Sequence, residues 1–150
     1  MRGKGIRALL DANVLISFLI GTRADSAPVV IVEAAMAGTF RLILPKPVVD
    51  ELQDRTTQKP YLAGRISSET VARLIDSLFL VAEPTIDPDE PLPEIGRDRD
   101  DDYLYAHAVL GGADYLVSGD RDVLAVERVG NVRIVSPATF ADILRDASHN

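Results

Sequence analysis

Carboxylates are concentrated where their spacing can bring them together. Asp11 lies in LLDANVLIS and Glu51 in PKPVVDEL, while Asp98, Asp100, Asp101 and Asp102 crowd the start of RDRDDDYLYAHAVLGGADYLVSGDRDVL and Asp120 and Asp122 stand near its end. Acids converging on one crevice repel one another unless a cation sits among them. Oxygen donors of this kind suit Mg²⁺ or Mn²⁺. The chain has no cysteine and two histidines, so thiolate chemistry is absent and an imidazole-based metal site has little to draw on. What remains is metal-assisted hydrolysis, in which the ion lowers the pKa of water and neutralises charge on a phosphoryl oxygen, with a phosphodiester as the natural substrate class.

The elements that must position these acids are readable from pattern. Apolar runs at Ile6 to Leu10, Leu42 to Leu44, Tyr115 to Val117 and Val132 to Val135, with Leu78 to Ala82 as a weaker fifth, alternate with helix-period segments, which predicts an α/β fold with a parallel sheet. The helices expected are ANVLISFLI, VVIVEAAMAG entered through Ser26 and Pro28, PKPVVDELQDRTTQ, SSETVARLIDSLF with a serine N-cap, YLYAHAVLGG, and PATFADILRDA. PTIDPDEPLPEIGRDRD, with four prolines, predicts a functional or mobile loop. Asp11 follows the first strand and Asp120 follows the Tyr115 to Val117 strand, at the carboxyl edge where open parallel sheets bind ligands. Asp101 and Asp102 open a helix whose dipole favours negative charge, and Asp101 shares a face with Leu104 and Ala108. Glu51 shares one with Val48 and Leu52.

Each acid also has an ordinary role. Asp11 and Asp120 fit turns, the cluster fits a solvated or capping run, and Glu51 is spaced to pair with Arg55 on a wet face. The 150 residues, 47% hydrophobic, fit one domain with a substantial core. No apolar run reaches bilayer length and the N-terminal stretch lacks a cleavage pattern, so a soluble cytoplasmic protein without a membrane span is expected. A net charge of −7 argues against a generally basic nucleic-acid surface but not against one local groove.

Taken in order, LLDANVLIS, PKPVVDEL and RDRDDDYLYAHAVLGGADYLVSGDRDVL resemble the PIN domain family, and within it the VapC-like toxin ribonucleases of prokaryotic toxin–antitoxin pairs. The resemblance covers nearly the whole chain, and its most specific part is the last motif. It implies a single PIN-like nuclease domain over residues 1–150, three-layered, with a short central parallel β-sheet flanked by helices. It also implies a Mg²⁺- or Mn²⁺-dependent endoribonuclease acting on RNA. The family's acids fall on Asp11, Glu51 and Asp120, with the remaining one in the cluster: Asp101 by its helix face, or Asp102 or Asp98. Asn13 and Ser118 match polar positions that orient carboxylates, Ser118 standing where threonine is common, and Asp122 adds an acid at the rim.

Around these, Arg97, Arg99 and Arg121 are placed either to meet RNA phosphates or to balance local carboxylates. His107 reads as packed rather than ligating, and Tyr103 and Tyr105 as core more than base-stacking. Val14, Leu15, Phe18, Leu19 and the helix SSETVARLIDSLF offer apolar surface for core packing, for a homodimer, or for the antitoxin protein that the resemblance implies as partner. A receiver-type regulatory domain also holds acids and Mg²⁺ at strand ends, but it expects paired acids after the first strand and a lysine after the last, where this chain has DAN and VSPATF. A PIN-like binding module without catalysis and a phosphatase-like metal hydrolase are the remaining alternatives.

Overall fold

A computed structural model describes residues 5–21, 23–58, 64–85 and 102–148. Strands β1 (Arg7–Leu10), β2 (Arg41–Ile43), β3 (Tyr115–Val117), β4 (Arg128–Val129) and β5 (Val132–Val135) form one sheet in the order β2-β1-β3-β5-β4. Every pairing is parallel except β4 with β5 at the edge. Helices α1 (Ala12–Ile20), α2 (Ala27–Met36), α3 (Lys46–Gln58), α4 (Ser68–Val81), α5 (Asp102–Leu110), α6 (Arg121–Leu124) and α7 (Pro137–Ser148) flank it. This is the mixed α/β architecture, mostly parallel and helix-flanked, that the alternating pattern predicts.

Strands covered by helices on both faces read as continuous apolar runs rather than alternating ones. Leu9, Leu10, Leu116 and Val117 are accordingly all fully buried, packed in one core with Leu15, Ile31, Leu52, Leu78, Leu104 and Phe140. Phe140 of α7 meets Phe40 edge-on at 5.1 Å between ring centroids, seating the last helix beside the β2 approach.

GGADYLV, the most specific piece of the last motif, has a local explanation. Gly112 ends α5 in a left-handed conformation (φ +66°) that side-chain-bearing residues rarely adopt, and the Ala113 N–H reaches back to the Ala108 carbonyl at 2.9 Å. Asp114 then clamps the entry to β3: its carboxylate accepts the Arg7 N–H (2.9 Å), its own N–H donates to the Arg7 carbonyl (2.8 Å), and its carbonyl accepts from Arg133 (3.0 Å). The turn thereby sets β3 in register between β1 and β5.

One expectation is corrected. Leu78 to Ala82 is not a strand but the last turn of α4 and its C-cap, with the Ala82 N–H bonded to the Leu78 carbonyl at 2.8 Å. Val71, Leu74, Ile75 and Leu78 recur at helical spacing and are all buried, so the apolar face runs through the segment and turns Phe79 and Leu80 outward. Only Glu83, just beyond, touches the sheet, as a single parallel bridge to Ile43. The fifth strand is instead β4, two residues paired to β5 across a turn at Gly130, too short for periodicity to register. From residue 86 onward the proline-rich stretch lies outside the described residues.

Candidate active site

From β1 the chain runs to β2 on one side and returns to place β3 on the other, so strand order reverses between β1 and β3. Crevices at the carboxyl ends of strands flanking such a point are where open α/β sheets bind ligands. Asp11 leaves the end of β1 in extended backbone (φ −68°, ψ 152°) with its N–H still bonded to the Val117 carbonyl at 2.9 Å. Ser118 leaves β3 the same way, its N–H on the Val135 carbonyl at 3.1 Å. The sheet ladder therefore delivers these two side chains to one point although 107 positions separate them.

Their hydrogen bonds close into a network. Ser118 Oγ donates to Asp11 Oδ2 at 2.8 Å and accepts from Asn13 Nδ2 (3.2 Å) and the Asp120 N–H (3.0 Å), which saturates the hydroxyl. Asn13 Nδ2 also donates to Asp11 Oδ2 at 3.1 Å, while its Oδ1 accepts the Gly119 N–H at 3.0 Å. Asn13 and Ser118 thus hold Asp11 through a single carboxylate oxygen. Ser118 is fully buried, so Ser118→Ala strands an Asn13 donor and the Asp120 N–H; it is expected to cost about 1–3 kcal/mol in urea denaturation.

Asp11 is 4% exposed. Burial above all, and then the charges of Glu51 and Asp120, push its carboxyl up from 3.8 to about 6, against the opposing pull of the Ser118 hydrogen bond and the Ala12 amide. Glu51 and Asp120 thus lie within electrostatic reach of Asp11. Glu51 is half-buried on α3, and its Oε2 accepts the Tyr103 hydroxyl of α5 at 3.2 Å. Asp120 is the exposed N-cap of α6, with Oδ1 accepting the Asp122 N–H at 2.8 Å. Asp102, the first residue of α5 and the one before Tyr103, is a buried acid at 4% exposure. Among the described residues no three histidine, aspartate or glutamate side chains are grouped so as to hold a metal ion. Beside the acids opens a cleft of about 320 Å³, lined by Asn13, Val14, Ser17, Arg55, Gly119, Asp120 and Pro137.

Other sequence candidates are placed as follows. Asp98, Asp101, Arg97 and Arg99 lie outside the described residues. Arg121 and Asp122 are exposed on α6. His107 and Tyr105 are buried, Val14 and Leu15 belong to the core, and Phe18 and Leu19 are half-buried against it. Glu51 does not pair with Arg55, which faces the cleft instead. The Tyr103 hydroxyl on Glu51 was not foreseeable from spacing, since it joins two helices far apart in the chain.

Fold and site together define an α/β protein with an acidic crevice at the switch point of its sheet. A family model described as PIN domain matches residues 7–122, and the chain belongs to that family. PIN domains are generally nucleases; they bind nucleic acid and typically use divalent metal ions. The crystal structure of PAE2754 from Pyrobaculum aerophilum has a similar fold, with a TM-score of 0.64 and 18% identity over 94% of this chain and 90% of that one. No curated protein matches the chain. Among the described residues no helix is long and apolar enough to cross a membrane.

Proposed function

We propose that the chain is a Mg²⁺- or Mn²⁺-dependent endoribonuclease and the toxin of a toxin–antitoxin pair, residues 1–150 acting as a single PIN-like nuclease domain. One observation carries the nuclease reading: Asp11 is buried at the sheet's switch point with Glu51 and Asp120 near enough for their charges to act on it. Such an arrangement is unfavourable by itself and is relieved by a cation.

The donors fit a hard ion, being carboxylates alone, and Mg²⁺ keeps several waters and needs only one or two protein carboxylates, so a caged site is not required. Asp11, Glu51 and Asp120 would supply the carboxylates from which the ion takes its one or two direct ligands, the others meeting it through its waters, together with an acid of the cluster for which the burial of Asp102 speaks more strongly than the helix-face argument for Asp101. When bound, a divalent ion supplies positive charge against the phosphoryl oxygens and makes water easier to deprotonate. The chain's own residues then position: Asn13 and Ser118 fix Asp11, the Asp122 amide fixes Asp120, and the Tyr103 hydroxyl fixes Glu51.

Purified protein incubated with defined RNAs is expected to cleave them with Mg²⁺ or Mn²⁺ and not with chelator, and Glu51→Gln is expected to slow cleavage by about 10²-fold. Cleavage that persists in chelator would sink the metal assignment. DNA of the same sequence separates a ribonuclease from a general nuclease, and RNA binding without cleavage in either metal would favour the non-catalytic PIN-like module. The toxin role predicts growth arrest on expression that a small protein from the adjacent reading frame relieves. A homodimer predicts twice the chain mass in light scattering.

A further inference from the structure

We propose that Arg55 is a phosphate-binding residue of the cleft, gripping the backbone of the RNA strand beside the acids. The inference rests on the nucleic-acid reading above and adds a residue to it. Arg55 lies one helical turn beyond Glu51 on α3, so both project from the same side of that helix. It lines the same cleft as Asn13, Gly119 and Asp120.

Its lack of partners is what sets it apart. Arg7 and Arg41 are bound to Glu83, Arg23 to Asp25, Arg73 to Glu69 and Arg145 to Asp142, while Arg133 lies over the Tyr115 ring. Arg65, Arg121 and Arg128 are without such a partner but are exposed, where water satisfies a guanidinium. Among the described residues Arg55 alone is a half-buried arginine whose side chain makes no hydrogen bond or ion pair. A guanidinium presents five N–H donors in a planar fork that matches phosphate bidentately. Leaving that fork partly desolvated and unused beside an acidic crevice costs free energy, and a phosphate entering the cleft recovers it. In a chain of net charge −7, one cation on the cleft wall also gives the strand a local point of attraction that the surface as a whole does not supply.

The test measures binding apart from cleavage. A fluorescein-labelled single-stranded RNA is titrated by anisotropy against the Asp11→Asn protein, used to suppress cleavage, with Mg²⁺ present and across a salt series. Adding Arg55→Gln is expected to weaken binding about tenfold and to reduce the slope of log affinity against log salt by about 0.7, the loss of one phosphate contact. Arg55→Lys, which keeps the charge but not the fork, retains the slope and recovers part of the affinity. With Asp11 intact, Arg55→Gln raises KM with kcat nearly unchanged, the mark of a contact made equally to bound substrate and transition state. A wild-type-like circular dichroism spectrum and melting temperature for Arg55→Lys guard against a folding explanation. If the Gln variant binds within twofold of its parent with the same slope, Arg55 is not a phosphate contact and the nucleic-acid reading stands without it. If the parent binds neither RNA nor DNA and the wild type cleaves neither, the nucleic-acid reading itself falls and Arg55 falls with it.

Discussion

Asp11→Asn is expected to abolish metal-dependent cleavage and, in metal-free buffer at neutral pH, to make the protein more stable. The two effects have one cause. Asp11 is 4% exposed, and its carboxyl is displaced from 3.8 to about 6, chiefly by burial and further by Glu51 and Asp120. Each unit of displacement corresponds to ~1.4 kcal/mol, so the ionised carboxylate costs at most about 3 kcal/mol. An asparagine keeps an oxygen for the Ser118 hydroxyl and the Asn13 amide and carries no charge. Relaxation of the site reduces the gain to about 1–2 kcal/mol, or ~3–6 °C in melting temperature for a chain of this size. Cleavage falls by about 10²- to 10³-fold, because the buried acid at the switch point of the sheet no longer carries charge.

The pH dependence fixes the sign. A carboxyl raised in the folded state binds its proton more tightly there than in the unfolded chain, so its contribution to stability is fully present below 3.8 and is lost as pH rises through about 6. The advantage of the asparagine variant is therefore largest at pH 7 and above and shrinks to nothing as pH falls from 6 toward 4. Divalent ion reverses the order. At about a hundredfold excess over its dissociation constant, an ion bound to the wild type restores ~2.7 kcal/mol that the variant does not receive. Urea denaturation of both proteins at pH 4.5 and 7.5, with chelator and with Mn²⁺, measures all four corners. An asparagine variant less stable than wild type at pH 7.5 in chelator would show that the burial of Asp11 is compensated by something other than a cation.

How much of this was legible in the sequence depends on whether a feature is local. The strand-end positions of Asp11 and Asp120 followed from apolar runs of a few residues and the acids after them, and both lie at the carboxyl edge. The reversal of strand order between β1 and β3 is a property of the whole chain, and no periodicity encodes it. Leu78 to Ala82 misled because a short apolar run is the same string whether it ends a buried helix or forms a central strand; what decided it was the buried stripe from Val71 onward. Arg55 was spaced correctly for an i, i+4 pair with Glu51, yet Glu51 is taken by a tyrosine from α5 and the arginine is turned to the cleft. Sequence spacing says which side chains can meet on one helix. It does not say which partner from another helix arrives first.

The aspartate cluster is where that distinction matters most, and Asp102→Asn is expected to cost far more activity than Asp101→Asn or Asp98→Asn. The helix-face argument for Asp101 assumes a narrow apolar stripe, placing it in line with Leu104 and Ala108. On α5, however, Asp102, Leu104, Tyr105, His107 and Ala108 are all buried, an arc too wide for one stripe to single out a position at its start. Asp102 lies within that arc, at a helix N-terminus whose free N–H groups favour a negative charge. Its neighbour Tyr103 reaches across to Glu51, so the first turn of α5 and the acid of α3 are mechanically joined. Asp102→Asn is nearly isosteric and is expected to leave the fold intact while lowering cleavage by about 10²-fold and weakening Mn²⁺ binding in the same proportion. Asp101→Asn and Asp98→Asn are expected to stay within about tenfold, the scale of residues that act on a metal site through its surroundings. Cleavage rates and Mn²⁺ titrations on the three variants settle it: an active Asp102→Asn beside a dead Asp101→Asn would return the ligand to Asp101 and leave the burial of Asp102 as a structural feature of the helix start.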